Sequence, residues 1–118
     1  MTTAASPIEK QDALAALAAL AHETRLDVFR LLVVAGPDGL AAGDIAERLD
    51  VQAATLSHHL KELKSARVVH CRREGRSLIY SPDFDAMGDL IGFLSENCCA
   101  SGGCPTRADP GQLSVDRD

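Results

Sequence analysis

Between Asp44 and Ser65 two stretches of helical apolar spacing are separated by three residues. Ile45 and Leu49 belong to the first, and Leu56, Leu60 and Leu63, at i, i+4 and i+7, belong to the second. Asp50-Val51-Gln52 between them leaves room only for a tight turn, so the two helices must cross closely and share one core. Thr55, Ser57, His58, Lys61 and Lys64 fall off the leucine stripe, which turns a row of hydrogen-bond donors and cations outward.

Past Ala66 the apolar period changes. RVVHCRR and RSLIYS are short segments rich in β-branched residues, joined at Glu74-Gly75, and they predict a hairpin. Upstream, Leu14, Leu17 and Ala21 suggest the inward stripe of a helix over 8–21, widened by Leu20. HETRLDVFRLLVVA predicts a second helix, with Leu26, Phe29 and Val33 on one side and Leu32 beside them, stopped by GPDG at 36–39. Pro82-Asp83 opens a last helix over about 83–97, with Phe84, Met87, Leu90, Ile91 and Leu94 on its apolar face. The expected fold is mainly α with a small β-hairpin, a winged helix-turn-helix. Residues 1–7 read as a flexible arm, 8–97 as the domain, and 98–118 as a cysteine-containing segment running into a polar, disordered tail.

Composition agrees with helix packing: 46% of residues are apolar, yet only 3% are aromatic, and Ala and Leu supply most of the rest. The 118 residues suffice for one domain. No apolar run reaches the ~20 residues of a membrane span, and the first residues lack a signal peptide's pattern, so a cytoplasmic protein with no membrane partner is expected.

The net charge of −5 argues against a nucleic-acid partner until its distribution is read. Residues 58–76 carry six basic side chains against two acidic ones, a net +4, which leaves −9 on the remainder. A phosphate backbone responds to such a local stripe more than to the total. An outward polar helix face fits a major groove. Arg72, Arg73 and Arg76 on the hairpin are spaced to lie along the neighbouring backbone or in the minor groove.

With LAALAHETRLDVFRLL, DIAERLDVQAATLSHHLKELKSARVV and REGRSLIYS in place, the chain resembles the ArsR/SmtB family of metal-sensing repressors over most of 14–97. The resemblance implies a homodimer joined through the first and last helices and a recognition helix at 53–65. It also implies double-stranded operator DNA as partner and release from it when an inducer binds. Carried over by position, Gln52, Thr55, Ser57 and His58 are the expected contacts to bases or phosphates, with Lys61 and Lys64 beside them. His59 is expected to be structural and His22 to be a surface or capping residue.

Three of the four cysteines, Cys98, Cys99 and Cys104, crowd into seven positions beyond the last helix. Asn97 and Ser101-Gly102-Gly103 give the backbone freedom to bring them together. Three soft donors without a fourth suit trivalent arsenic or antimony as inducer, because the lone pair leaves a three-coordinate pyramid, whereas zinc takes four ligands. The expected function is an arsenite- or antimonite-responsive repressor with no catalytic cofactor. Methylarsenite, which needs only two thiols, zinc or cadmium, and three thiols without a ligand are the other readings of the segment. The family's frequent site in the first helix of the helix-turn-helix is ruled out, since no cysteine lies between residues 1 and 70. HCRREGRS superficially resembles the phosphate loop of thiol phosphatases and some arsenate reductases. Its Arg76 falls one place early, however, and the segment lies in a predicted hairpin, so an enzyme is not expected.

Overall fold

The computed structural model describes residues 8–100. Along the chain run α1 (Lys10–Leu20), α2 (Glu23–Ala35), β1 (Leu40–Ala41), α3 (Ala42–Leu49), α4 (Ala53–Ser65), β2 (Val69–Glu74), β3 (Ser77–Pro82) and α5 (Phe84–Leu94). This is a mostly helical winged helix-turn-helix with a small antiparallel sheet in the order β1-β3-β2.

Each boundary has a local cause. His22 caps α2 by accepting the Thr24 N–H on Nδ1 at 3.2 Å. After Ala35 the chain enters Gly36 at φ 86°, which ends the helix inside the expected Gly-Pro-Asp-Gly turn. α3 closes on Asp50, left-handed at φ 55°. There the Val51 N–H reaches the Ala46 carbonyl and the Asp50 N–H the Glu47 carbonyl, a Schellman pairing. α4 ends the same way on Arg67 at φ 65°. Asp83 opens α5 by accepting the Ala86 N–H at 2.9 Å.

Leu56, Leu60 and Leu63 of α4 are buried and meet Val28, Phe29 and Leu32 of α2 and Ile45 of α3 in the core. Val68, Val69 and Leu90 extend the core toward the wing and α5. The wing is the hairpin of β2 and β3, in register from Val69 opposite Pro82 to Glu74 opposite Ser77, with Gly75 at φ 63° in its two-residue turn.

Several features depart from expectation. In α1 the buried residues are Ala13, Ala16 and Ala19, while Leu14 and Leu17 are 54% and 40% exposed, so the helix is rotated away from the leucine stripe. Small side chains allow α1 to sit close to α2 and α4, and the larger leucines are turned out. α2 is phased likewise: Val28, Phe29 and Leu32 are inside, and Leu26 and Val33 are exposed. α5 stops at Leu94, short of residue 97, where the Ser95 hydroxyl bonds the Ile91 carbonyl at 2.8 Å. β1, two residues pairing Leu40 with Tyr80 and Ala41 with Ile79, has no counterpart in the sequence pattern.

Candidate nucleic-acid interface and thiol pair

α4 turns opposite faces to the core and to solvent. Leu56, His59, Leu60 and Leu63 are buried, and Thr55, Ser57, His58, Lys61 and Lys64 are exposed. Gln52 occupies the N-cap position without a side-chain capping bond and is exposed, so its amide stays available. No acidic residue stands in the first turn of α4, and the partly positive helix end faces outward unopposed.

Arg72, Arg73 and Arg76 are all exposed on the wing, but they are not equivalent. Arg72 donates from Nε to Glu74 Oε2 at 2.9 Å and from a terminal nitrogen to the Asp38 carbonyl at 2.9 Å. That second bond ties the wing to the turn before β1. Arg73 and Arg76, like Lys61 and Lys64, form no ion pair among the described residues. They are the side chains most able to exchange water for phosphate.

Cys71 sits in mid-strand on β2, paired across the ladder with Tyr80. Burial pushes the Tyr80 phenol up from its ordinary range, and the Cys71 thiol hydrogen-bonded to it adds to the shift. No helix N-terminus follows Cys71, so the phosphate-cradle geometry of a thiol enzyme is not formed there.

Behind α4 lies a cluster that patterning does not reveal. His59 is 6% exposed and accepts on Nδ1 from Arg25 Nε at 3.1 Å, a partner 34 positions away. The His22 ring stands 4.6 Å from the His59 ring between centroids, and the His58 ring 5.7 Å. The expectations for His22 and His59 agree with this placement; the role of Arg25 is new, because only the tertiary fold brings it there.

Beyond α5 the chain makes two successive turns. The Cys98 N–H reaches the Ser95 carbonyl at 2.9 Å and the Ala100 N–H the Asn97 carbonyl at 3.0 Å, with Asn97 and Cys99 left-handed at φ 61° and 63°. Neighbouring side chains on a continuous helix diverge by about 100°. Here the left-handed steps turn the two thiols together, with Cys98 Sγ and Cys99 Sγ 3.3 Å apart. Cys104, the third expected ligand, lies outside the described residues. Among those residues no set of three or more His, Cys, Asp or Glu side chains is arranged to hold a metal ion. No described helix is long and apolar enough to cross a membrane.

Residues 20–72 match the family model described as a helix-turn-helix domain. The transcriptional repressor SdpR of Bacillus subtilis is 36% identical over 76 residues, covering 64% of this chain and 81% of that protein. A homologue of the cadmium resistance transcriptional regulatory protein CadC from Staphylococcus aureus is 33% identical over 85 residues, or 70% of this chain and 69% of that protein. Among solved structures, HlyU from Vibrio cholerae superposes with a TM-score of 0.58 at 29% identity, over 74% of this chain and 97% of that one. These relatives are regulators, not enzymes. Helix-turn-helix, wing and sequence likeness together place this chain among the DNA-binding winged helix-turn-helix transcriptional regulators of the ArsR/SmtB superfamily.

Proposed function

We propose that this chain is a homodimeric operator-binding repressor whose inducer is a trivalent arsenical captured by Cys98 and Cys99, methylarsenite through these two thiols alone and inorganic arsenite or antimonite with Cys104 as the third. One observation carries the reading: two adjacent thiols, 3.3 Å apart, held by paired left-handed turns at the end of α5. A methylated trivalent arsenical presents two exchangeable positions, which Cys98 and Cys99 could fill by themselves. Inorganic arsenite or antimonite asks for a third sulfur, for which Cys104 is the candidate.

Exposed side chains supply the path from thiols to DNA. Leu14 and Leu17 on α1 and Ile91 and Leu94 on α5 are exposed apolar side chains on two helices that pack together, and a second copy is their proposed cover. Ile91 and Leu94 lie in the last turn of α5, just before the thiol pair. Ligation at Cys98 and Cys99 would fix the turns after Leu94 and repack that end of the dimer seam. The spacing of two recognition helices, ~34 Å for successive major grooves, would then no longer match the operator. Gln52, Thr55, Ser57, His58, Lys61 and Lys64 read or grip the groove in this scheme, and Arg73 and Arg76 grip the flanking phosphates. Arg72 acts instead by holding the wing in place.

A second reading is a cadmium- or zinc-responsive repressor, favoured by the likeness to the CadC homologue. One titration separates the two: release of a bound DNA fragment by methylarsenite, arsenite, antimonite, cadmium and zinc in parallel. The expected result is release by methylarsenite that Cys98→Ser or Cys99→Ser abolishes and Cys104→Ser leaves intact. Cys104→Ser should remove the response to inorganic arsenite. Release by cadmium or zinc alone would overturn the arsenical assignment.

A further inference from the structure

We propose that Arg25 and His59 are positioning residues for DNA reading, and that their hydrogen bond makes operator affinity fall on acidification. The proposal rests on α4 being the recognition helix. His59 occupies the buried side of that helix, next in sequence to exposed His58 and two positions from exposed Ser57. Whatever sets the seat of His59 therefore sets the height and rotation of the groove-facing side chains.

The bond has only one chemically allowed form. A guanidinium carries donors alone, so Arg25 Nε can be accepted at His59 Nδ1 only when that nitrogen is bare and the ring proton is on Nε2. A proton on Nδ1 removes the acceptor and leaves an imidazolium 3.1 Å from a guanidinium nitrogen. The groups that act on His59 all repel such a charge: His22 at the cap of α2, Arg25 on α2 and His58 on α4. α1, α3 and β2 also pack against α4 and bring no described carboxylate to bear on it. The added charge would stand beside the Arg25 guanidinium, and in this scheme its relief shifts α4 against α2.

Burial, and then these three neighbours, lower the His59 pKa below its ordinary value. The folded protein therefore binds this proton less readily than the unfolded chain. The brace's contribution is complete above the ordinary histidine pKa of about 6.5 and is lost as pH falls through the depressed folded value.

The test is fluorescence anisotropy with a labelled duplex selected by the wild-type protein from a random-sequence pool. Affinity is read at constant ionic strength between about pH 5.5 and pH 8, the histidine range. Wild-type affinity should drop by about fivefold or more toward the acid end, within the usual range of allosteric coupling. His59→Asn puts a non-titrating amide oxygen near the Nδ1 position and should flatten the profile. His70→Gln, altered on the exposed side of β2 and outside the histidine–arginine cluster, should keep the drop. A flat or rising wild-type profile would overturn the proposal, as would an undiminished drop in His59→Asn. Failure to bind at any pH would instead remove α4 from its DNA-reading role.

A second measurement stands should His59→Asn not fold. In NMR of the wild-type protein, titration of the His59 ring should shift the amides of 53–65 with the same midpoint. Ring titration with still α4 amides would overturn the coupling.

Discussion

α1 and α4 use the same leucines for opposite ends. In α4, Leu56, Leu60 and Leu63 point into the core and polar residues face out. In α1, alanines fill the interior while Leu14 and Leu17 face out. A leucine stripe therefore marks the inside of a helix only where the opposite face is polar. Where both faces are apolar, the close approach of neighbouring helices selects the smaller side chains for the interior and leaves the larger ones exposed, the surface proposed above for a second copy.

Substitutions that treat the two helices alike should give unlike results. Leu60→Ala removes a fully buried side chain and should cost about 2–5 kcal/mol of folding stability, read by denaturant unfolding. Leu14→Glu with Leu17→Glu should leave the fold intact but prevent dimerisation, each leucine forfeiting about 1.5–3 kcal/mol of burial on association. Light scattering would report a monomer; a persistent dimer would remove α1 from the seam. Ala16→Leu should overpack the inner face of α1 and cost about 1–3 kcal/mol, which an Ala-to-Leu change on an outward face would not do. On the outer face of α4, Lys61→Ala should leave stability unchanged and reduce the slope of log affinity against log salt by about 0.9. Smallest of all, Asp50→Gly should stabilise the turn between α3 and α4 by about 0.5 kcal/mol, since glycine enters the left-handed region without a Cβ penalty. A loss of stability there would mean that the Asp50 side chain contributes more than its backbone angle costs.

The same contrast separates what patterning discloses from what it hides. α3, α4 and the wing are legible because leucines alternate there with charged and polar residues, or because β-branched pairs flank a glycine turn. ALAALAAL carries apolar side chains at every position, so its period has no phase to read. β1 is too short for any period, and its pairing depends on Gly39, where a Cβ would run into the Tyr80 carbonyl. The residues proposed to contact DNA are all exposed; the tether of Arg72 depends on Asp38, distant in sequence. Arg25 and His59 meet for the same reason, through folding alone. The thiol pair is legible as composition. Its closeness comes from left-handed steps at Asn97, a residue type that favours such angles, and at Cys99, which does not announce one.

The bond from Arg72 to the Asp38 carbonyl, together with the β1–β3 pairing, has a mechanical result. With its hairpin pinned at two places, one protomer would work as a caliper jaw whose gap to the proposed recognition helix is harder to adjust from within than that of a wing held by its own ladder alone. In a dimer built from such jaws, the inexpensive way to change grip on a duplex is to alter how far apart the two jaws are carried.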